Sequence, residues 1–155
     1  MQGASEHIPP VPEGSPPLPA ALLLHRCGDG TAHFDLLLAV RLPTGDDDAC
    51  AATWRVAGAP DGAAPADFRG VPACLPAGRI HDHRALYLQL DVPRTLDRGR
   101  GDVFPVARGT WTAAPEGVAT ITWTDGARGT VRFVRRADGG LDLHHVPAPM
   151  TGDPR

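Results

Sequence analysis

The chain contains no lysine, because all fifteen of its basic residues are arginine. This absence excludes chemistry that needs a lysine amine, including a Schiff base, a P-loop lysine and a lysyl-adenylate. Handling of a phosphate would therefore fall to arginine, histidine, tyrosine or a metal ion. The formal net charge of −3 gives no global basic field, so any affinity for nucleic acid must come from a local cluster of charges.

Long apolar runs and paired cysteines are missing too. The apolar run near the N-terminus, residues 20–24, is far too short to cross a bilayer or to form the core of a signal peptide. Cys27, Cys50 and Cys74 are odd in number and lack Cys-x-x-Cys spacing, which argues against a disulfide framework or a zinc ribbon. We therefore expect a cytoplasmic protein that does not associate with a membrane.

Proline content divides the chain into three parts. Residues 1–20 carry six prolines, including two Pro-Pro pairs, and predict a flexible leader. Residues 21–146 then predict a single domain, which is long enough to bury one core. Residues 147–155 contain three further prolines and predict a disordered tail.

Short apolar segments that alternate with turn signals predict the fold. No stretch shows sustained helical periodicity, so the crossover helices of a parallel sheet are missing. These features indicate an antiparallel barrel or sandwich, and we expect an all-β protein, a compact antiparallel β-barrel with little helix. The predicted strands cover residues 22–25, 33–41, 51–56, 84–92, 102–107, 109–112, 118–123 and 130–136.

The segment His33-Phe34-Asp35 places two polar side chains in apolar surroundings. Alternate side chains of a strand share a face, so His33 and Asp35 would project together while Phe34 points into a core. An imidazole and a carboxylate held side by side are two parts of a divalent-metal site, and His25 could supply a third ligand. The alternative is an ordinary hydrogen-bonded cluster, which predicts no bound metal.

A second polar cluster, residues 81–84, opens directly onto the apolar segment 85–90. If the predicted strand extends back to His81, then His81, His83 and Tyr87 lie on one face, which aligns two imidazoles with a phenol. The alternative is a polar turn before a strand.

The pair His144-His145 lies beside the proline-rich tail. It has no partner acid at short spacing, and we expect both residues on the surface.

In their order along the chain, these motifs resemble the 3′-phosphoesterase domain family, which occurs in bacterial DNA ligase D and as free-standing small proteins. The resemblance spans residues 22–136. It is carried by Leu23-Leu24-His25, His33-Phe34-Asp35-Leu36-Leu37-Leu38, Thr53-Trp54-Arg55-Val56, Asp82-His83 with Tyr87, Gly99-Arg100-Gly101-Asp102-Val103 and Gly109-Thr110-Trp111.

The resemblance implies a β-barrel with a surface groove that holds a divalent metal, manganese first and zinc as the alternative. It implies an activity that removes a phosphate or a terminal ribonucleotide from a DNA 3′ end. His25, His33 and Asp35 would bind the metal, and His83 and Tyr87 would act beside the scissile phosphate. The implied partners are nucleic-acid 3′ ends or a smaller phosphoester, together with a DNA ligase, and we expect a monomer.

The chain departs from this family at the phosphate contact. The family normally carries an arginine two residues after the metal-binding aspartate, and this chain has Leu37 there. Arg55, Arg79 and Arg84 are the candidates to replace it from neighbouring strands. The family's lysine after the tryptophan strand is absent around residues 57–58. A second hypothesis therefore stays open: a catalytically impaired barrel that binds metal, nucleic acid or a protein partner.

Overall fold

The structure is a computed structural model that describes residue 11 and residues 14–56 and 67–148. Its strands are β1 (Leu18–Arg26), β2 (Ala32–Ala39), β3 (Ala51–Val56), β4 (Ala73–His83), β5 (Arg94–Thr95), β6 (Asp102–Ala114), β7 (Val118–Trp123), β8 (Arg128–Arg135) and β9 (Leu141–Pro147). Three short 3₁₀ helices, Ala85–Leu88, Asp97–Gly99 and Pro115–Gly117, complete the described part. Within these residues, no helix is long and apolar enough to span a bilayer.

Eight of the strands close an antiparallel barrel in the order β1-β2-β3-β4-β9-β8-β7-β6. Pairing of β6 with β1 closes the ring, and the short β5 is added to β6. Closure satisfies strand edges that would otherwise be exposed to pairing with other chains. The predicted all-β antiparallel barrel is confirmed.

Side chains that alternate along the strands fill the barrel interior. Leu22, Leu36 and Trp54 are neighbours across β1, β2 and β3, and all three are fully buried. Trp54 stacks on Phe133 of the opposite wall, with ring centroids 4.5 Å apart and an interplanar angle of 15°. This contact shows that the even-numbered residues of these strands face the barrel interior. The odd-numbered residues of β1 and β2 therefore point outward.

The outer face of β1 and β2 is covered as well. All eight residues of β2 are buried, and the 3₁₀ helix 85–88 packs against both strands. The first two N–H groups of this helix donate to the carbonyls of Asp48 and Asp46. As a result, Leu23 and Leu37, which point outward, are still fully buried and form a second apolar layer beneath the helix.

The predicted strand over 84–92 is wrong. The strand ends at His83, and residues 85–88 form the 3₁₀ helix instead. Ala85 and Leu88 are three residues apart, a spacing that places them on one side of a 3₁₀ helix, and both are buried. The strand itself, β4, lies earlier, where Pro76, Gly78 and largely exposed side chains hide its pattern.

The ends of the barrel extend slightly beyond the predicted domain. β1 begins at Leu18, inside the predicted leader, because Leu18 pairs with Trp111 of β6. β9 continues to Pro147, the first residue of the predicted tail, by pairing with Gly129. Residues 1–10, 12–13, 57–66 and 149–155, which include most of the leader and tail and the positions around 57–58, lie outside the described residues.

His145 is not a surface residue. It is 3% exposed and points into the barrel between Phe68 and Gly129. Its Nδ1 donates to the carbonyl of Val71 over 2.9 Å, and burial lowers the pKa of this imidazole. The prediction that His144 and His145 both lie on the surface is wrong because successive strand residues face opposite sides of a sheet. Only His144 points outward.

Candidate functional site

The candidate site lies on the outer face of the barrel wall, where β1, β2 and β3 run side by side. The strand register pairs His25 with His33, and it places Asp35 between Leu23 and Arg55. Directly opposed residues of antiparallel strands have Cβ atoms roughly 4.5–5.5 Å apart. The hairpin of β1 and β2 therefore brings the two predicted imidazole ligands together, and β3 places Arg55 directly opposite Asp35.

His33 and Asp35 meet through atoms that have no other partner. Nε2 of His33 is 3.2 Å from Oδ1 of Asp35, and the side chains are 9% and 5% exposed. Neither atom makes a hydrogen bond among the described residues. An unsatisfied buried polar atom costs about 1–3 kcal/mol, whereas two ligands of one divalent ion lie roughly 3.0–3.5 Å apart. The pair therefore has the spacing of two ligands of a shared cation.

His25 presents one nitrogen to the site. Its Nε2 donates to the carbonyl of Arg100 over 2.9 Å, which leaves the lone pair on Nδ1. The rings of His25 and His33 meet edge to face, with centroids 5.0 Å apart. The backbone contact therefore fixes both the tautomer and the orientation of this predicted ligand.

The loop 97–101, which carries that carbonyl, is pressed against the end of β1. A Cβ on Gly28 would lie 1.8 Å from the carbonyl oxygen of Gly99. A Cβ on Gly101, whose φ is +95°, would lie 1.8 Å from the carbonyl oxygen of Arg26. Only glycine fits either position, so these two contacts set the distance between the loop and His25.

Cys27 lines the cleft beside these residues, although the sequence was considered only for a disulfide framework or a zinc ribbon at this position. Its Sγ is 3.7 Å from Nδ1 of His33, and the ligand atoms of His25, Cys27 and His33 all lie within 4.8 Å of one another. The signal was the hairpin itself: pairing of His25 with His33 centres the turn on residue 29, which brings Cys27 back towards β2. We call His25, Cys27, His33 and Asp35 the hairpin cluster.

His83 reaches the hairpin cluster from the end of β4. Its Nε2 lies 4.0 Å from Oδ2 of Asp35, and its Nδ1 is 3.2 Å from the carbonyl of His81. A carbonyl can only accept, so Nδ1 carries the hydrogen and the neutral ring presents a lone pair at Nε2. Burial lowers the pKa of His83, and the nearby carboxylate of Asp35 opposes this effect only in part.

Tyr87 lies beside His83, but not along a common strand face. The predicted alignment is confirmed for His81 and His83, which both lie in β4 with stacked rings 4.9 Å apart, and it is wrong for Tyr87, because the chain turns into the 3₁₀ helix. The turn nevertheless brings the Tyr87 ring to 5.6 Å from the His83 ring. The guanidinium carbons of Arg84 and Arg94 lie 5.8 Å and 5.9 Å from the centroid of the tyrosine ring.

These residues surround a cleft of about 590 Å³ on the outside of the barrel. Its lining combines the candidate residues with the loop 97–101 and a few apolar side chains. The polar and charged lining residues are His25, Cys27, Asp29, Asp35, Arg55, His81, Asp82, His83, Arg84, Tyr87 and Arg100.

The three arginines proposed to replace the missing family arginine differ in position. Arg55 is exposed, lines the cleft and has no hydrogen bond or ion pair among the residues that the structure describes. Arg84 also lines the cleft and pairs with Asp47 at 3.1 Å. Arg79 does not line it, because its guanidinium binds Asp82 at 2.8 Å and lies over the Trp54 ring.

A second group of possible metal ligands lies between β4 and β9. Cys74 and His144 are directly opposed, with Sγ 3.5 Å from Nε2, and Asp142 shares their face. The expectation that His144 has no acidic neighbour is therefore wrong. The carboxylate of Asp142 already binds the guanidinium of Arg136. We call Cys74, Asp142 and His144 the β4–β9 cluster.

No protein-family model matches this chain, and neither a curated protein nor a solved structure matches it at a significant level. The resemblance to the 3′-phosphoesterase family therefore stays a prediction that rests on the sequence motifs. The described residues show an antiparallel barrel that carries candidate metal-ligand groups.

Proposed function

We propose that this barrel is a metal-dependent phosphoesterase that hydrolyses phosphoesters at nucleic-acid 3′ ends. The observation that carries the proposal is the pair of unpartnered buried atoms, Nε2 of His33 and Oδ1 of Asp35, 3.2 Å apart beside a cleft that arginine side chains line. Such a pair suits a cation, and a cation next to arginine side chains suits a phosphate.

The donor set fits a divalent ion. His33 and Asp35 offer an imidazole nitrogen and a carboxylate oxygen 3.2 Å apart. His25 offers Nδ1, and its ligand atom lies within 4.8 Å of those of Cys27 and His33, a group that does not include Asp35. Nitrogen and oxygen ligands of this kind suit Mn²⁺, with Zn²⁺ as the alternative. When bound, such an ion polarises a phosphoryl oxygen and lowers the pKa of a coordinated water.

Arg55 is the residue we assign to the phosphate. Leu37, at the position of the family arginine, is fully buried and does not line the cleft. Arg55 stands directly opposite Asp35 on the neighbouring strand, with its guanidinium free among the described residues. A guanidinium can donate two parallel hydrogen bonds to a phosphate, so β3 supplies the contact that β2 lacks.

His83 and Tyr87 complete the proposed chemistry. The lone pair on Nε2 of His83 can accept a proton from a water or from a substrate hydroxyl. The Tyr87 hydroxyl, close to Arg84 and Arg94, can donate to a phosphate oxygen as negative charge develops there. These roles use the two residues that the motif resemblance assigned to the scissile phosphate.

The substrate class follows from the local charge. Three arginines, Arg55, Arg84 and Arg100, line the cleft and Arg94 adjoins it, but Asp29, Asp35 and Asp82 line it as well. A divalent cation bound at Asp35 would leave the cleft with an excess of positive charge, which is the local basic cluster that a polyanionic substrate requires in a protein of net charge −3.

The cellular setting follows from the reaction and the thiols. Hydrolysis of a 3′-phosphate leaves the 3′-hydroxyl that a DNA ligase needs, which makes a ligase the natural partner in DNA end processing. All three cysteines are free thiols, which suits the reducing cytoplasm.

The test is release of phosphate from a 3′-phosphorylated primer by the purified chain. We expect Mn²⁺ to stimulate release and Asp35→Asn to abolish it, because the substitution removes the carboxylate but keeps its shape. Asp91→Asn, at an exposed position outside the cleft, is the matched control and should leave the rate unchanged.

One observation favours the second hypothesis, a barrel that binds metal or nucleic acid without catalysis. The position of the family arginine holds Leu37, and this position is buried, so its side chain does not line the cleft. Mn²⁺ binding that requires Asp35, with primer ends left intact by the wild-type chain, would support this reading and reject the hydrolase.

A further inference from the structure

We propose that the hairpin cluster has a second coordination mode, in which Zn²⁺ binds through His25, Cys27 and Nδ1 of His33 and displaces the ion bound through Nε2 of His33 and Asp35. We call coordination through Cys27 the thiol mode and coordination through Asp35 the carboxylate mode. The thiol mode rests on the geometry around Cys27 alone. Its consequence for catalysis rests on the function proposed above.

The distance between the first two ligands already matches zinc. Bonds of about 2.3 Å to sulfur and 2.0–2.1 Å to nitrogen, at a tetrahedral angle, place the two ligand atoms about 3.6 Å apart. Sγ of Cys27 and Nδ1 of His33 are 3.7 Å apart. The ligand atom of His25 lies within 4.8 Å of both, so a small closure of the hairpin completes a three-ligand set.

The backbone holds this set in place. Cys27 and His25 are two residues apart and share the outward face of the strand end, opposite His33. The N–H of Cys27 donates to the carbonyl of Thr31 over 2.8 Å, which ties the two arms of the hairpin together. The other ring nitrogen of His25 donates to a backbone carbonyl, the outer contact that usually orients a metal-ligating histidine.

Ligand chemistry separates the two modes. A thiolate with two imidazoles prefers Zn²⁺, and three protein ligands leave one position open for water or a phosphate oxygen. The carboxylate mode offers Asp35, a hard oxygen ligand that suits Mn²⁺. Zinc binding in the thiol mode also releases the Cys27 proton to solvent, because only the thiolate ligates.

His33 makes the modes mutually exclusive. Its Nδ1 faces Cys27 and its Nε2 faces Asp35. A neutral imidazole has one lone pair and one N–H, so it can ligate on one side only at a given moment. Zinc bound beside Cys27 therefore puts the hydrogen of His33 on Nε2, so this nitrogen has no lone pair left for a cation beside Asp35.

Cobalt(II), a spectroscopic substitute for zinc, tests the thiol mode in the full chain. Cys74→Ser serves as the background, because it removes the only other cysteine of a candidate metal group among the described residues. We expect the thiolate-to-cobalt charge-transfer band to be present in Cys74→Ser and in Cys74→Ser/Asp35→Asn, and to be lost in Cys74→Ser/Cys27→Ser. Zinc affinity should fall at least tenfold with Cys27→Ser, while Mn²⁺ affinity stays unchanged.

A band that survives without Cys27, or equal zinc affinity in the presence and absence of its thiol, would overturn the proposal. Circular dichroism of each variant confirms that the barrel is folded before a lost band is interpreted. Activity then separates the two proposals. If primer ends are hydrolysed, zinc should inhibit the wild-type chain more than tenfold more strongly than Cys27→Ser. If they are not, the charge-transfer band still decides the thiol mode on its own.

Discussion

The hairpin cluster and the β4–β9 cluster contain the same kinds of ligand but differ in their surroundings. Each holds a cysteine and a histidine in van der Waals range, at 3.7 Å for Cys27 and His33 and at 3.5 Å for Cys74 and His144. In the hairpin cluster, buried polar atoms lack partners and a cleft lies alongside. In the β4–β9 cluster, the cysteine is exposed and an arginine already neutralises the carboxylate.

The difference shows that proximity of ligands is a weak criterion for a site. A surface cysteine, histidine and aspartate can satisfy one another, water and a neighbouring arginine without a metal. Burial without a partner is the stronger criterion, because the protein would otherwise bear a desolvation cost with no compensation. We therefore place the proposed metal site in the hairpin cluster rather than in the β4–β9 cluster.

A substitution of Arg55 should have a large effect on catalysis, and this effect separates the hairpin cluster from the β4–β9 cluster. Arg55→Ala should lower kcat/KM for a 3′-phosphorylated primer by about 30- to 900-fold, which corresponds to roughly 2–4 kcal/mol of transition-state stabilisation. Arg55→Lys should recover only part of this, because an ammonium cannot make the two parallel hydrogen bonds of a guanidinium. Arg132→Ala, beside the β4–β9 cluster, is the matched control. An unchanged rate in Arg55→Ala would remove this residue from the phosphate site.

Two glycines with similar backbone angles provide a comparison of stability. Gly101, beside His25, has a φ of +95°, and an added Cβ would lie 1.8 Å from a carbonyl oxygen. Gly139, in the turn between β8 and β9, has a φ of +92° and open space around it. Gly101→Ala should cost roughly 3 kcal/mol and Gly139→Ala about 1 kcal/mol in the free energy of unfolding. Urea denaturation of both variants measures the difference. Equal costs would mean that the loop 97–101 is not held tightly against β1.

The smallest effect concerns pH and the two adjacent histidines of β9. Burial lowers the pKa of His145 in the folded chain, so the unfolded chain binds the proton more readily. The folded state therefore loses stability as the pH falls from the unfolded value of about 6.5 through the lower folded value. His145→Gln should flatten this part of the stability profile, and the neighbouring variant His144→Gln is measured beside it for comparison. A pH profile that is identical in His145→Gln and the wild-type chain would contradict the assignment.

The sequence predicted the barrel and the core of the site because both depend on a period of two. Apolar segments between turn signals identified the strand 51–56, and alternation placed His33 and Asp35 on one face, where the structure has them. The remainder depends on contacts distant in sequence. Cys27 entered the site through the hairpin turn, and Arg55 rather than Arg79 reached the cleft because of the register of β3 against β2. The β3–β4 pairing also shifts between residues 51 and 53, an irregularity that alternation does not reveal.

The central claim is that the hairpin cluster, through Asp35, holds a divalent metal. Thermal or urea unfolding in the presence of Mn²⁺ tests this most directly, on the wild-type chain, Asp35→Asn and Asp142→Asn. At a free Mn²⁺ concentration 100 times the dissociation constant, a specific site should add about 2.7 kcal/mol to the free energy of unfolding. We predict that gain for the wild-type chain and for Asp142→Asn, and none for Asp35→Asn. An equal gain in Asp35→Asn, or its loss in Asp142→Asn alone, would contradict the claim.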